Sequence, residues 1–373
     1  MRSLRLALDE LRDAGLYREL RTVESAQGPR VRLDGRDVLL LCSNDYLGLA
    51  GDPRLRAAAA EAAERWGAGA SASRLISGTM TPHLELERRL AEVKGTEAAV
   101  LFGSGYLANT GVISALAGPG EIVVSHARNH ASIIDGCRLA RAETKVYADL
   151  DELAHALEDR RPATVVTDAV FSMDGDVAPL TEIVELARRH GARVVVDEAH
   201  ATGVIGPEGR GLVHALGLQR EVIAIGTLGK ALGSYGAFAA CDGDTADFLV
   251  NRARTFIYST ALPPPSVGAA LKALELMDRE LVGRLHANAR VLREALGAEA
   301  SDMPIVPLLA GDPEMALARC AEALDRGVFV QAIRPPTVAP GTSRLRAVAT
   351  AAHTETELRE AARSISTCGA VHG

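Results

Sequence analysis

Apolar residues recur along the chain with two different periods. Leu4, Leu8, Leu11, Leu16 and Leu20 fall at near-helical spacing, which predicts an amphipathic helix over residues 3–21. Arg30-Val31-Arg32-Leu33 and Val38-Leu39-Leu40-Leu41 flank Asp34-Gly35, the signature of a tight hairpin. A polar loop, Ser43 to Gly48, and an alanine-rich helix over 54–66 follow. Gly67 to Gly78 is a loop of small residues. Its Arg74, Leu75 and Ile76 suit a segment lying against a bound group or a partner chain better than a linker. A helix over 82–94 opens with Pro82 in its first turn and acids soon after.

From residue 98 the pattern changes to short, mainly apolar runs: Ala98–Phe102, Glu121–Val124, Thr164–Val170, Val194–Val196, the run ending at Thr227, and Ala237–Cys241. Runs of this length bounded by glycine or polar residues read as buried strands. Helices stand between them, 180–190 among others, so a mainly parallel sheet with right-handed crossovers is expected. Pro263-Pro264-Pro265 mark a passage into a region that is mostly helical over 266–296. Strand-like Ile305–Leu308 and Val328–Gln331 then flank a helix over 313–326, and a helix over 354–365 closes the chain. The fold class expected is α/β, with an arm of helix and hairpin at 1–45, a large domain at 46–262 and a small α+β domain at 263–373.

Composition narrows the function. The chain of 373 residues is 47% hydrophobic and carries a net charge of -7 with no long basic run, which argues against nucleic acid or an anionic membrane as partner. Cys42, Cys137, Cys241, Cys320 and Cys368 form no Cys-x-x-Cys pair, so no metal site and no disulfide framework is expected. The first residues turn acidic before any apolar segment develops, unlike a signal peptide. No run approaches the roughly 18 apolar residues of a membrane span. A cytoplasmic protein is expected.

The chemistry concentrates between Val194 and Lys230. Val194-Val195-Val196 ends in Asp197-Glu198-Ala199-His200, and the next strand exits through Thr227-Leu228-Gly229-Lys230. In open α/β sheets, ligands bind beyond the carboxyl ends of the strands, so Asp197, His200, Thr227 and Lys230 can face one crevice. An aspartate, a histidine and a lysine there suit pyridoxal phosphate. The lysine forms the Schiff base, and the aspartate keeps the pyridine nitrogen protonated so that the ring can accept electrons. Plainer roles compete: an aspartate at a strand end commonly caps a helix, and a lysine between glycines is commonly a solvated loop residue. Asp-Glu-Ala-His also occurs in nucleotide-driven helicases, but these need a phosphate loop G-x-x-x-x-G-K-[ST]. Here Ala231 follows Lys230 and Ala224 stands in place of the first glycine, so that reading falls.

Two further stretches gain meaning beside this one. Gly103-Ser104-Gly105-Tyr106 follows a strand and precedes a helix, a place where backbone N–H groups gather an anion; Tyr106 could equally belong to the core. His126 and His130 follow another strand, where one of them could stack on an aromatic ring.

Ser43-Asn44-Asp45-Tyr46-Leu47-Gly48, Phe171-Ser172-Met173-Asp174-Gly175-Asp176, Asp197-Glu198-Ala199-His200-Ala201-Thr202-Gly203, Thr227-Leu228-Gly229-Lys230 and Ile257-Tyr258-Ser259-Thr260 stand in this order. Together they resemble the α-oxoamine synthases, pyridoxal-phosphate enzymes of fold type I, over nearly the whole chain. The resemblance implies a decarboxylative joining of an amino acid to an acyl thioester in a homodimer whose active site lies at the subunit interface. Within the family it points to the branch that joins L-alanine to a pimeloyl thioester, on coenzyme A or on an acyl carrier protein, in biotin biosynthesis. By position, Lys230 matches the Schiff-base lysine, Asp197 the pyridinium partner, His200 the group bonding the phenolic oxygen and His130 the stacking histidine. Gly105, Tyr106 and Thr227 match phosphate binders, Ser259 a phosphate contact from the other subunit, and Ser172 a cofactor-contacting serine. Arg18 matches an arginine at the acyl-substrate entrance and Thr337 a substrate-contacting threonine. Asn44 belongs to a motif that lines the substrate, and Arg334 and Arg346 both remain candidates for the amino-acid carboxylate. Ala72 stands where the family often has glycine.

The roles so implied make freed Lys230 the base for the α-proton, which requires a neutral amine although a free lysine has a pKa of about 10.4. Burial and a cationic neighbour favour that form. His130 could polarise the thioester carbonyl. The rival readings are a sister enzyme using glycine and a short acyl-CoA (2-amino-3-ketobutyrate ligase or aminolaevulinate synthase), an aminotransferase, and a non-catalytic subunit, which the presence of Lys230 disfavours.

Overall fold

The computed structural model describes residues 3–366. Thirteen strands run among the described residues: β1 Arg30–Leu33, β2 Arg36–Leu40, β3 Ala98–Phe102, β4 Ile122–His126, β5 Glu143–Tyr147, β6 Ala163–Asp168, β7 Arg193–Asp197, β8 Ile223–Thr227, β9 Ala237–Cys241, β10 Ile305–Gly311, β11 Val328–Phe329, β12 Gln331–Ile333 and β13 Ser343–Val348. The chain forms two compact units. One gathers the chain up to Gly48, Met173–Gly175 and the chain from Arg284 on; the other holds Leu49–Ser172 and Asp176–Gly283.

The larger unit is built on a seven-stranded sheet of order β3-β9-β8-β7-β6-β4-β5. Strands β4 to β8 pair in parallel, as the apolar runs predict, while β9 is antiparallel to both β3 and β8. β3 therefore points the same way as the parallel strands, and its carboxyl end lies on the same edge. Val123, Val166, Val195 and Ile225 from four neighbouring strands pack with Val112, Ile113 and Ile133 of the helices that cover one face. Each such side chain, taken from water, stabilises the fold by about 1.5–3 kcal/mol. Gly226 opposes Phe238 across β8 and β9, and a Cβ there would stand 2.3 Å from the Phe238 ring, so only glycine admits the aromatic.

The smaller unit has two sheets, β1-β2-β11 and β10-β13-β12. The hairpin turns at Asp34 and Gly35, both with positive φ, as Asp-Gly turns require. β2 then pairs in parallel with β11, so the hairpin belongs with the end of the chain rather than forming a separate arm at 1–45. The units divide near Gly48 and Arg284, whereas the prolines at 263–265 begin a helix, Pro264–Leu276, that lies within the larger unit.

Several local expectations change. The first helix, α1 Leu4–Asp13, is shorter than residues 3–21 because Gly15 turns left-handed at φ 65 and the amides of Leu16 and Tyr17 fold back onto Leu11 O. The next helices are α2 Pro53–Trp66 and α3 Thr81–Lys94, close to expectation, and between them Arg74–Gly78 form a π-helical turn inside the small-residue loop. The helices after β3 and β4 are α4 Gly105–Leu116 and α5 Ala131–Ala140. The stretch 328–331 divides into β11 and β12. Cys368 lies outside the described residues.

Candidate active site

The carboxyl ends of the parallel strands deliver the functional side chains, and all of those in this paragraph belong to the larger unit. Asp197 is the last residue of β7 and Thr227 the last of β8; His200 and Lys230 follow in the exit loops, His130 lies between β4 and α5, and Gly105 opens α4. Lys230 Nζ is 2.8 Å from His200 Nε2. Asp197 is 5% exposed, its Oδ1 accepting the Ala199 amide at 2.8 Å and its Oδ2 the Asn109 side-chain amide at 2.6 Å. Asn109 also donates to Ser132 Oγ at 2.9 Å, which lies 2.7 Å from His130 Nδ1. Thr227 Oγ1 donates to Gly236 O and accepts the Gly229 amide, which fixes the loop leading to Lys230.

Charge is crowded here. Burial pushes the His130 imidazole below its ordinary value; Asp197 pulls it upward and Lys230 adds to the downward push. Asp168, the last residue of β6, accepts the His130 amide at 2.8 Å. Burial pushes its carboxyl well above the usual range, and the charge of Asp197 acts in the same direction. These mutual influences place His130, Asp168, Asp197 and Lys230 in one electrostatic neighbourhood.

Glu198, inside the Asp-Glu-Ala-His string, does not face this cluster. It is fully buried and paired with Lys94 of α3, and its Oε1 accepts the Val213 amide at 2.8 Å. Lys94 Nζ also donates to Arg210 O at 2.6 Å and Thr202 Oγ1 at 3.3 Å. Gly211, at φ 99, packs so closely that a Cβ would lie within 2.7 Å of the ion pair. The pair thus pins the loop that carries Asp197 and His200.

The residues present fit pyridoxal phosphate. Ser104 Oγ caps α4 by accepting the Leu107 amide, and a Cβ added at Gly105 would meet nothing within 4 Å, which leaves open space over the helix start for an anion. A lysine, a buried carboxylate and a histidine beside the lysine are the donor set that an aldehyde, a ring nitrogen and a phenolic oxygen need. Tyr106 is exposed rather than core, and its hydroxyl donates to Asp135. Ser259 lines a small cavity of about 10 Å³ together with Gly103 and Arg74. Ser172 follows β6, half-buried. His126 is structural: it packs between Tyr147 and Phe171, with ring centroids 5.0 and 4.5 Å away.

The remaining candidates lie in the smaller unit. Arg346, on β13, is 6% exposed and donates to Asn44 Oδ1 at 3.1 Å and Tyr46 Oη at 3.3 Å. Arg334 donates to the carbonyls of Gly15 and Tyr17, tying down the segment after α1. It also lines a cavity of about 610 Å³ with Arg12, Tyr17, Arg21 and Phe329. Arg18 and Thr337 are exposed, and the Thr337 amide donates to Arg334 O. Sequence reasoning missed Asn109, Ser132, Lys94 and Asp168. The available signal was a polar residue inside an apolar run, as Asn109 is among Ala108 to Ile113.

The sequence matches the family described as Aminotransferase class I and II over residues 36–365. It is 48% identical over 99% of its length to an 8-amino-7-oxononanoate synthase of Geobacter sulfurreducens, of which 98% is covered. Over 93% of the chain it is 53% identical to an 8-amino-7-oxononanoate synthase of Anaeromyxobacter dehalogenans, of which 90% is covered. Among solved structures, a serine palmitoyltransferase of S. paucimobilis carrying bound PLP and myriocin superposes with a TM-score of 0.92 at 34% identity, over 98% of this chain and 96% of that one. An 8-amino-7-oxononanoate synthase of Francisella tularensis superposes with a TM-score of 0.75 at 26% identity, over 88% and 97% of the two chains.

Proposed function

From the chain's membership of the class I and II aminotransferase family, and within it of the 8-amino-7-oxononanoate synthases, we propose that the cluster at the ends of β7 and β8 performs the decarboxylative condensation of L-alanine with a pimeloyl thioester. The enzyme is a pyridoxal-phosphate acyltransferase, and its products are 8-amino-7-oxononanoate, carbon dioxide and free thiol. The observation that carries the assignment of residues is the grouping of Lys230, His200, Asp197 and His130 on one sheet edge of a chain this similar to the synthases.

When bound, pyridoxal phosphate supplies an electron sink for the bonding pair released at the amino acid's α-carbon. Lys230 would hold it through Nζ, Asp197 would keep its ring nitrogen protonated, and the open start of α4 at Gly105, with Thr227, would take its phosphate. Freed from the cofactor by the incoming amino group, Lys230 Nζ would remove the α-proton, and His200 at 2.8 Å keeps that nitrogen in place. His130 polarises the thioester carbonyl. Bond formation there expels the thiolate, which takes its proton from solvent; the alanine carboxylate then leaves as carbon dioxide, and Lys230 would return its proton to the α-carbon. Arg346 is the better seat for that carboxylate, since Asn44 and Tyr46 orient its guanidinium in a buried position, whereas Arg334 is engaged with backbone carbonyls. Arg18 and Thr337 serve the acyl substrate.

A second copy of the chain completes the site by lending Ser259. Exposed Leu75, Ile76 and Tyr258 supply apolar surface for such a dimer. A cytoplasmic setting accords with the four free cysteines among the described residues, none of whose helices is long and apolar enough to cross a membrane.

The test is thiol release and product mass with L-alanine and pimeloyl-CoA or pimeloyl carrier protein. Expected are the C9 product with alanine and loss of at least about 10³-fold in turnover for Lys230→Ala with the fold intact. Release only with glycine and a short acyl-CoA, or only with serine and a long one, would overturn the substrate assignment.

A further inference from the structure

Asn109 and Ser132 take no part in the roles assigned above, yet both are 1% exposed and stand between two groups that do. Asn109 Nδ2 spends one hydrogen on Asp197 Oδ2 at 2.6 Å and the other on Ser132 Oγ at 2.9 Å. The orientation of the amide is fixed by its neighbour: a carboxylate oxygen accepts only, so Oδ1 cannot face it. Oδ1 instead points where it meets no hydrogen-bond partner among the described residues. A buried acceptor left so costs about 1–3 kcal/mol, which both donated bonds offset. Ser132 Oγ accepts from Asn109, and among the described residues its other partner is His130 Nδ1 at 2.7 Å, so the hydrogen of this buried hydroxyl is satisfied only by pointing there. The Ser132 backbone amide, whose role as donor is fixed, points at the same nitrogen at 3.2 Å.

Nδ1 of His130 therefore receives two hydrogens and carries none. His130 is also the N-cap of α5, where the positive end of the helix disfavours an imidazolium. Burial presses in the same direction. The neutral ring must then hold its proton on Nε2.

We infer that Asn109 is a positioning residue: through Ser132 it locks His130 as the Nε2–H tautomer, while the same amide holds Asp197 in place. His130 then offers its substrate a neutral hydrogen-bond donor, the form that polarises a carbonyl without surrendering a proton. A single side chain sets the two groups on opposite sides of the reaction. This deepens the proposed function and rests on His130 and Asp197 serving it.

The experiment is the nitrogen NMR spectrum of 15N-histidine-labelled holoenzyme without substrate, with His130→Ala identifying the signal. Read without turnover, it can fail while the assignment of the reaction stands. The wild type should show Nδ1 unprotonated and Nε2 protonated; a proton on Nδ1 would overturn the proposal. In Asn109→Ala the Ser132 oxygen is free to accept, so an Nδ1–H population should appear. The kcat should fall at least tenfold, with the KM for L-alanine within twofold. An unchanged tautomer in a folded Asn109→Ala would overturn it too. Should that variant not fold, Ser132→Ala decides: it leaves Nδ1 only the backbone amide, so Nε2–H must persist, and Nδ1–H there refutes the account.

Discussion

Lys94→Met is the sharpest test of what holds the catalytic loop. The Lys94 ammonium is 1% exposed and its partner Glu198 is fully buried. Removing the lysine leaves a buried carboxylate with the Val213 amide at 2.8 Å and the net charge uncompensated. Breaking one side of such a pair costs about 3–5 kcal/mol. Glu198→Leu should cost as much from the other side, because the ammonium is then left with Arg210 O and Thr202 Oγ1. The double variant removes both charges and orphans only neutral groups, so it should be more stable than the sum of the singles by at least about 2 kcal/mol. Guanidinium unfolding followed by far-ultraviolet circular dichroism measures all four proteins. Because Glu198 sits between Asp197 and His200, turnover in Lys94→Met should also drop, by as much as about 10²-fold if those groups move by an ångström. Single variants within about 0.5 kcal/mol of wild type, or strict additivity in the cycle, would refute the pinning of this loop by the pair.

Arg346→Lys keeps a charge but loses the fork directed by Asn44 and Tyr46; the KM for L-alanine should rise about ten- to a hundredfold, with the acyl thioester KM unchanged. Gly226→Ala places a methyl 2.3 Å from the Phe238 ring and should cost about 1–3 kcal/mol, read as a lower denaturation midpoint; Gly226→Ala with Phe238→Leu should recover part of it. Burial, with Arg128 adding to it, pushes the His126 imidazole down to about 4, below its unfolded value, so the stability it contributes is full above pH 6.5 and is lost as pH falls toward 4. His126→Gln should flatten that acid limb in the stability-versus-pH curve and leave the curve above pH 7 parallel to wild type.

The strand-end chemistry was legible because burial on both faces writes a parallel strand as an uninterrupted apolar run, and Asp197 and Thr227 terminate two of them. The edge strand β5 was not, since only Tyr147 of its five residues is buried and its sequence, Glu143-Thr144-Lys145-Val146-Tyr147, carries no such run. The direction of β9 is equally invisible: Ala237–Cys241 is apolar whichever way it pairs. Leu16 and Leu20 prolonged the helical period past Gly15, although backbone geometry at that glycine ends the helix. Asn109 stands out locally only as a polar residue among apolar ones; its partners Ser132 and Asp197 lie 23 and 88 residues away, which no local pattern records. The division into units escaped for the same reason, because it depends on β2 meeting β11.

That pairing has a consequence for how the protein is made. β2 leaves the ribosome early, but Val328–Phe329, which complete its sheet, are synthesised after the whole of the larger unit, which ends at Gly283. The seven-stranded sheet can close during translation, whereas the hairpin must wait with its edge unpaired until the last part of the chain emerges. Chains stalled before residue 328 should therefore expose that edge to chaperones, and a ribosome-bound nascent chain ending near residue 300 should protect the larger sheet from protease while residues 30–40 remain cleavable.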